Sequence, residues 1–232
     1  MAKVDIRCPF CEQTSPVKKH GYGKSVHQRY RCQSCKRTFQ LDYTYRACQP
    51  EMTDQLIDLA MNNAGIRDTA RALDISINAV VRTLKKLSPR NVTTQPLDNL
   101  QIQLICEVDE MWSFIGNKER QRWLWHALEP RLKQVIAHAF GSRSKKTLHK
   151  LLKLLLRFSV AFWCTDGYRA YNDELPKAKH IVSKLYTQRI ERAHLTLRNR
   201  LQRLNRKTPG YSKSSEMHYR IIGTYIECEY YV

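Results

Sequence analysis

The sequence predicts a multidomain α/β chain: an N-terminal zinc ribbon, a helix-turn-helix, and a C-terminal ribonuclease-H-like domain. Three observations predict it. Two CxxC knuckles, Cys8–Cys11 and Cys32–Cys35, open the chain. A helical periodicity with a basic third segment follows from Glu51. Beyond a Pro-bounded stretch, the apolar pattern runs strand, strand, strand, helix, strand, helix, strand, helix. That order describes a mixed sheet with helices on both faces.

The composition bounds the function. The 232 residues carry 40 Lys and Arg against 21 Asp and Glu, a formal charge of +19. Nucleic acid is the leading partner for such a chain. An anionic membrane surface would attract the same charge, but no apolar run approaches the roughly 20 residues of a spanning helix. The N-terminus MAKVDIRCPF lacks the apolar core of a signal peptide. A reducing compartment follows, with the eight cysteines as thiols or metal ligands rather than disulfides.

The zinc ribbon occupies 1–46. Each knuckle points two thiolates at one ion, and two knuckles close a tetrahedron of Cys8, Cys11, Cys32 and Cys35 around one structural Zn²⁺. His20 and His27 are rival ligands, but four Cys complete the shell. A four-thiolate site leaves no open position for substrate. A segment this short cannot bury a core of its own, so the metal supplies much of its folding energy. Cys48, Cys106, Cys164 and Cys228 stand in apolar contexts and read as packed thiols.

The helix-turn-helix occupies 47–88. Leu56, Ile57, Leu59, Ala60 and Met61 mark one face of a first helix; Thr69, Ala70, Ala72 and Leu73 mark a second. Ser76 caps a third, from Ile77 to Leu87. Small Ala70 permits a close helix crossing. The third helix presents Asn78 and Arg82 for base edges, and Lys85 and Lys86 for phosphates. An ordinary three-helix bundle with a solvated basic face is the plainer alternative. Residues 89–100, with Pro89 and Pro96 and no apolar period, read as a linker.

The remaining 101–232 form the third domain. Strands are predicted at 101–109, 122–128 and 134–140, joined as an antiparallel meander. An amphipathic helix follows at 144–157, with Ser144 as its cap. A fourth strand at 160–165 ends in Asp166-Gly167. A short helix near 168–174, a fifth strand around 180–182 and a long helix holding Glu191 complete the order. Beyond Arg206 no element is assigned. In this topology the ends of strands one and four are neighbours, so Asp109 and Asp166 face each other and Glu191 joins from the helix. Three such carboxylates suit a hard divalent cation. At about 100° per residue, Arg198 lies nearly in line with Glu191. Ile190, Leu197, Leu201 and Leu204 form the buried face beside them. Glu107, Glu110, Asp173 and Glu174 compete for the acidic roles, and Glu107 shares the strand face of Asp109. His194 reads as a helix-surface or packing residue. Trp112, Trp123, Trp125 and Trp163 read as core or shelf aromatics.

The pieces CPFC, RYRCQSCKRTFQL, CEVDEMW, RQRWLW, WCTDGYRAY and SKLYTQRIERAHLTLR, with the helix-turn-helix run, resemble the transposases of the bacterial insertion sequence 1 family. The form resembled is the one with fused InsA and InsB frames, and the resemblance covers essentially the whole chain. It implies a DDE-type recombinase with 24 residues between the second Asp and the Glu, which falls on Asp109, Asp166 and Glu191 and favours Asp109 over Glu107. The basic residue seven positions after the Glu matches Arg198. Ala193 and His194 stand where relatives more often carry His-Asn. The implied activity is strand cleavage and strand transfer on DNA with two Mg²⁺ (or Mn²⁺) per active site. The implied partners are terminal inverted repeats and target DNA, bound by a homo-oligomer of at least two chains, in the nucleoid-associated bacterial cytoplasm. A non-catalytic DNA-binding regulator and a structure-selective nuclease of the same fold are the alternatives.

Overall fold

A computed structural model describes residues 5–23, 26–95 and 103–231. They fall into two compact units. One holds the chain up to Leu59 together with Ile66–Val81; the other holds Ala60–Gly65 and the chain from Arg82 onward. The division passes through helices of the helix-turn-helix rather than between predicted modules.

In the first unit, β1 (Val17–Tyr22), β2 (Gln28–Cys32) and β3 (Thr38–Gln40) form an antiparallel sheet in that order. The residue after each knuckle's second cysteine is left-handed: Glu12 at φ +58° and Lys36 at φ +59°. A non-glycine residue there costs about 1–2 kcal/mol, and the turn closes with Glu12 N–H donating to Cys8 O at 2.9 Å. The apolar content is small. Tyr30 stacks on Phe39 at 5.8 Å between ring centroids, with Ile6 and Val17 beside them.

The three predicted helices are present as α1 (Met52–Met61), α2 (Ile66–Leu73) and α3 (Ile77–Lys86). Left-handed Asn63 and Asp74 terminate the first two. Ser76 Oγ accepts from Ala79 N–H at 3.2 Å, the expected cap of α3. Thr69, Ala70 and Leu73 are buried, whereas Asn78, Arg82, Lys85 and Lys86 are exposed.

In the second unit the chain forms β4 (Leu104–Ile115), β5 (Asn117–Glu129), β6 (Gln134–Gly141), α4 (Lys145–Leu155), β7 (Val160–Thr165), α5 (Arg169–Glu174), β8 (His180–Val182), α6 (Gln188–Arg200) and α7 (Ser215–Tyr230). The sheet order is β6-β5-β4-β7-β8, antiparallel among β4, β5 and β6, with β7 parallel to β4 and β8 parallel to β7. This is the predicted ribonuclease-H-like order. Each sheet face has its own core. Leu104, Cys106, Val108 and Trp125 pack with Leu148 and Leu151 of α4. Met111 and Leu124 pack with Ile190 and Leu197 of α6 and Ile222 and Ile226 of α7. Burying one such side chain contributes about 1.5–3 kcal/mol.

Several expectations are corrected. β4 does not end at Asp109 but continues to Ile115, because β5 pairs back along it from Gly116, a turn at φ +75°. Ser144 precedes α4 without a side-chain cap bond, its hydroxyl bonding Ser142 Oγ at 2.9 Å instead. Cys106 and Cys164 are buried as expected, but Cys48 and Cys228 are exposed. The stretch predicted as a linker has backbone partners in its described part: Thr93 N–H donates to Ile136 O, and Asn91 O accepts from His138 N–H, both at 2.9 Å along the free edge of β6. The rest of that stretch and the start of the first predicted strand, 96–102, lie outside the described residues. The sixteen-residue α7 is an addition to the predicted order. Among the described residues no helix is long and apolar enough to cross a membrane.

Candidate active site

Strand register decides where the acids fall. The last β4–β7 pair is Glu107 with Cys164. Two residues further along each parallel strand stand Asp109 and Asp166, so the predicted facing arrangement follows from the pairing. Alternation sorts the competitors. Asp109 and Glu107 point to the α6 face, and Glu110 to the α4–α5 face.

Each competitor has a structural partner. The buried Glu107 carboxylate accepts from Ile190 N–H at 2.8 Å, in the first turn of α6. A carboxylate at a helix N-terminus satisfies an otherwise unpaired donor and complements the dipole, worth about 0.3–2 kcal/mol. Glu107 thereby fixes α6, and with it Glu191, on the sheet. Glu110 accepts from Tyr171 Oη at 2.5 Å and from Arg143 Nε at 2.7 Å. Arg143 lies over the rings of Trp123 and Tyr168. Asp173 and Glu174 tie α5 to α4 through Lys145 at 2.7 Å and His149 at 3.0 Å.

That leaves Asp109, Asp166 and Glu191. Asp109 Oδ1 accepts from Glu110 N–H at 2.8 Å, and Oδ2 lies 3.3 Å from His194 Nδ1. Asp166 Oδ1 accepts from Tyr168 N–H at 3.0 Å, an Asx turn that holds the carboxylate at the strand end. Glu191 is exposed on the first turn of α6. Burial, then the charges of Glu110, Asp166 and Glu191, push Asp109 up to about 7 against the opposing pull of the Glu110 N–H. The three acids therefore share one electrostatic site, although their oxygens do not all fall within 4.8 Å of one another. Arg198 lies within electrostatic reach of Asp109. Burial and Arg206 lower its pKa, Asp109 acts in the opposite sense, and its buried Nε has no partner. The exposed Arg206, which sequence reasoning left among the general basic residues, sits 4.8 Å over the Trp112 ring.

A stability consequence follows. A folded pKa near 7 against about 3.9 unfolded means the folded chain holds an extra proton between those values. The contribution is full below pH 4 and lost as pH rises through 7. Without added Mg²⁺, Asp109→Asn is therefore expected to raise Tm at pH 8 by about 3–10 °C, on the order of 1–3 kcal/mol. Thermal melts at pH 4 should show no such gain.

The thiols converge more tightly. The sulfurs of Cys8, Cys11, Cys32 and Cys35 all lie within 4.8 Å of one another, a unique cluster among the described residues. Cys8 Sγ is 3.7 Å from Cys35 Sγ, and Cys11 Sγ is 3.6 Å from Cys32 Sγ. Within this cluster the Cys35 backbone N–H leads in drawing Cys32 down to about 7, while, against the Gln13 backbone bond, burial and the neighbouring sulfurs push Cys11 up to about 12. Four soft donors in this arrangement fit a structural zinc ion.

A zinc ribbon, a helix-turn-helix and a ribonuclease-H-like domain with an acidic cluster at its sheet make up the set of modules expected of a DNA transposase of the DDE class. The comparisons agree along the chain. The family model described as IS1 transposase matches residues 103–232, that described as InsA C-terminal domain matches 43–88, and that described as InsA N-terminal domain matches 1–36. Insertion element IS1 9 protein InsB of Escherichia coli (strain K12) is 44% identical over 149 residues, covering 64% of this chain and 89% of that protein. Insertion element IS1 protein InsB of Haemophilus ducreyi matches to the same extent, 44% over 149 residues. The chain belongs to the IS1 transposase family.

Proposed function

We propose that the chain binds the terminal inverted repeats of an insertion sequence, cuts at their ends and joins the exposed 3′-hydroxyl to target DNA. Asp109, Asp166 and Glu191 are the residues that would hold the divalent cations, Mg²⁺ or Mn²⁺, two per site. The observation that carries this reading is the parallel β4–β7 register that brings Asp109 and Asp166 to neighbouring positions, with Glu191 in the first turn of α6 near enough for its charge to act on Asp109. A partly buried acidic cluster whose members repel one another is a donor set for hard cations. When bound, such ions activate the attacking oxygen and stabilise the leaving one.

The chain's own residues supply the rest. Displacement at phosphorus depends on positioning and on neutralising charge at the equatorial oxygens. Arg198 and Arg206 stand beside Asp109 and His194 with N–H donors for those oxygens. Glu107 holds α6 in place through its first turn. On α3, Asn78 and Arg82 read base edges while Lys85 and Lys86 meet phosphates. The zinc ribbon is the second DNA-holding module. Joining two ends calls for at least two chains on the DNA.

Transposition in cells tests this reading. Supplied in trans to a marked element bearing its own ends, the wild-type chain should produce insertions above background, and Glu191→Gln should not. Equal counts from both would overturn it. The reading of α3 has a separate expectation. Arg82→Ala should weaken end-specific binding by about 1–3 kcal/mol, whereas Lys85→Ala should weaken all sequences alike and reduce the salt slope by about 1. Anisotropy titrations at two salt concentrations separate these outcomes.

A further inference from the structure

Behind Asp109 lies a buried pair of imidazoles to which neither the sequence nor the mechanism gives a role. His126 of β5 stands directly opposite Asp109 of β4 in the strand register. His194 of α6 closes over both. Its Nδ1 is 3.3 Å from Asp109 Oδ2, and its Nε2 is 3.3 Å from His126 Nδ1. The two rings meet edge to face at 4.3 Å. His194 is 8% exposed and His126 0%. The buried His126 Nε2 has no partner.

We propose that His126 and His194 are a positioning pair, donating in one direction toward Asp109 so that its carboxylate is held at a fixed angle for the cation. This rests on the reading of Asp109 as a cation-holding residue. A neutral imidazole carries one N–H, so the two rings allow two arrangements. In one, His126 Nδ1–H donates to His194 Nε2, and His194 Nδ1–H donates to ionised Asp109. In the other, His194 presents a lone pair to the carboxylate and His126 buries an N–H with nothing to receive it. With Asp109 ionised, the second sets two acceptors face to face and orphans a donor, whereas the first leaves only the His126 Nε2 lone pair without a partner, so the first holds. Burial lowers the basicity of His126, and burial, then His126 and the charges of Arg198 and Arg206, lower that of His194. The Glu110 N–H then holds Oδ1 and His194 holds Oδ2, which leaves lone pairs on both oxygens for a cation. Outer partners of this kind set the orientation of a metal-binding carboxylate. His194, expected to be a helix-surface or packing residue, becomes a positioning residue, and His126 fixes its tautomer.

Two measurements test the pair. In the full chain with Mg²⁺ at pH 8.5, ¹⁵N-histidine spectra assigned with His126→Phe and His194→Asn should show both rings as the Nδ1–H tautomer; an Nε2–H signal for either overturns the proposal. Mn²⁺ titrations followed by electron paramagnetic resonance on the zinc-loaded chain should show about tenfold or more weaker binding for His194→Ala. His194→Asn, whose amide nitrogen falls where Nδ1 was, should recover binding to within about threefold of wild type. Unchanged binding in His194→Ala, or Asn as poor as Ala at equal Tm, would overturn it. Asp166→Asn separates the two levels: if it still cleaves end-containing DNA, the carboxylate reading itself fails. If it is inactive while His194→Ala binds Mn²⁺ as wild type does, only the pair fails.

Discussion

Replacing Asp166 with asparagine is expected to reduce strand cleavage at least about a thousandfold, a loss of roughly 4 kcal/mol of transition-state stabilisation. DNA binding should change by no more than about twofold, because the DNA-reading residues proposed on α3 are untouched. The substitution is nearly isosteric. Asparagine Oδ1 can still accept from Tyr168 N–H, the bond that shapes the end of β7. What disappears is the charge, so a lost reaction with intact melting isolates the electrostatic role. Glu191→Gln makes the companion case. Among the described residues Glu191 is in no ion pair and is exposed, so its replacement should leave stability within about 0.5 kcal/mol. Quench-flow or gel kinetics on a labelled end duplex, with Tm recorded for each variant, checks both. An Asp166→Asn chain that cleaves at wild-type rate would remove the carboxylate site from the account.

The second large effect concerns the zinc ribbon. Cys32→Ser is expected to lose the bound zinc and unfold the sheet of β1, β2 and β3. The apolar cluster there amounts to Tyr30 and Phe39 with Ile6 and Val17 packed beside the cysteines. It also bears the left-handed Glu12 and Lys36. Segments below about 40 residues rarely fold on such cores alone. Zinc binding in comparable modules contributes about 10–16 kcal/mol, enough to decide the outcome. Zinc release on titration with a mercurial should be one ion per chain in wild type and none in Cys32→Ser. Hydrogen exchange should show lost protection from Gln28 to Gln40 and undiminished protection in β4, β5 and β6. Retained protection in the ribbon after zinc loss would show that its packing suffices without metal.

Much of this architecture is legible in the sequence because local signals carry it. The knuckle spacing, Ser76 before α3, and the apolar runs at β6, β7 and β8 each report on short-range chemistry. Asp166 is legible for the same reason, since it ends an apolar run and precedes glycine. Other features depend on pairing between distant residues. Glu107 and Asp109 share a strand face, and alternation cannot separate them; the contact that does is Ile190 N–H, 83 positions away. The far half of the β4–β5 ribbon is hidden because residues 117–121 read NKERQ. They stay polar since β5 pairs with β6 only from Trp123 onward. The His126–His194 pair joins a strand to a helix 68 positions later, which no period in the sequence reveals. Arg206 gains its meaning only from the ring beneath it.

The most direct test is strand joining in vitro. Purified chain, a duplex carrying one end of the element with a free 3′-hydroxyl, supercoiled target DNA and Mg²⁺ should yield covalently joined product, and omitting the cation should abolish it. DNA binding without joined product would leave a non-catalytic DNA-binding regulator, and cleavage that ignores the end sequence would leave a nuclease of the same fold; either result contradicts the account.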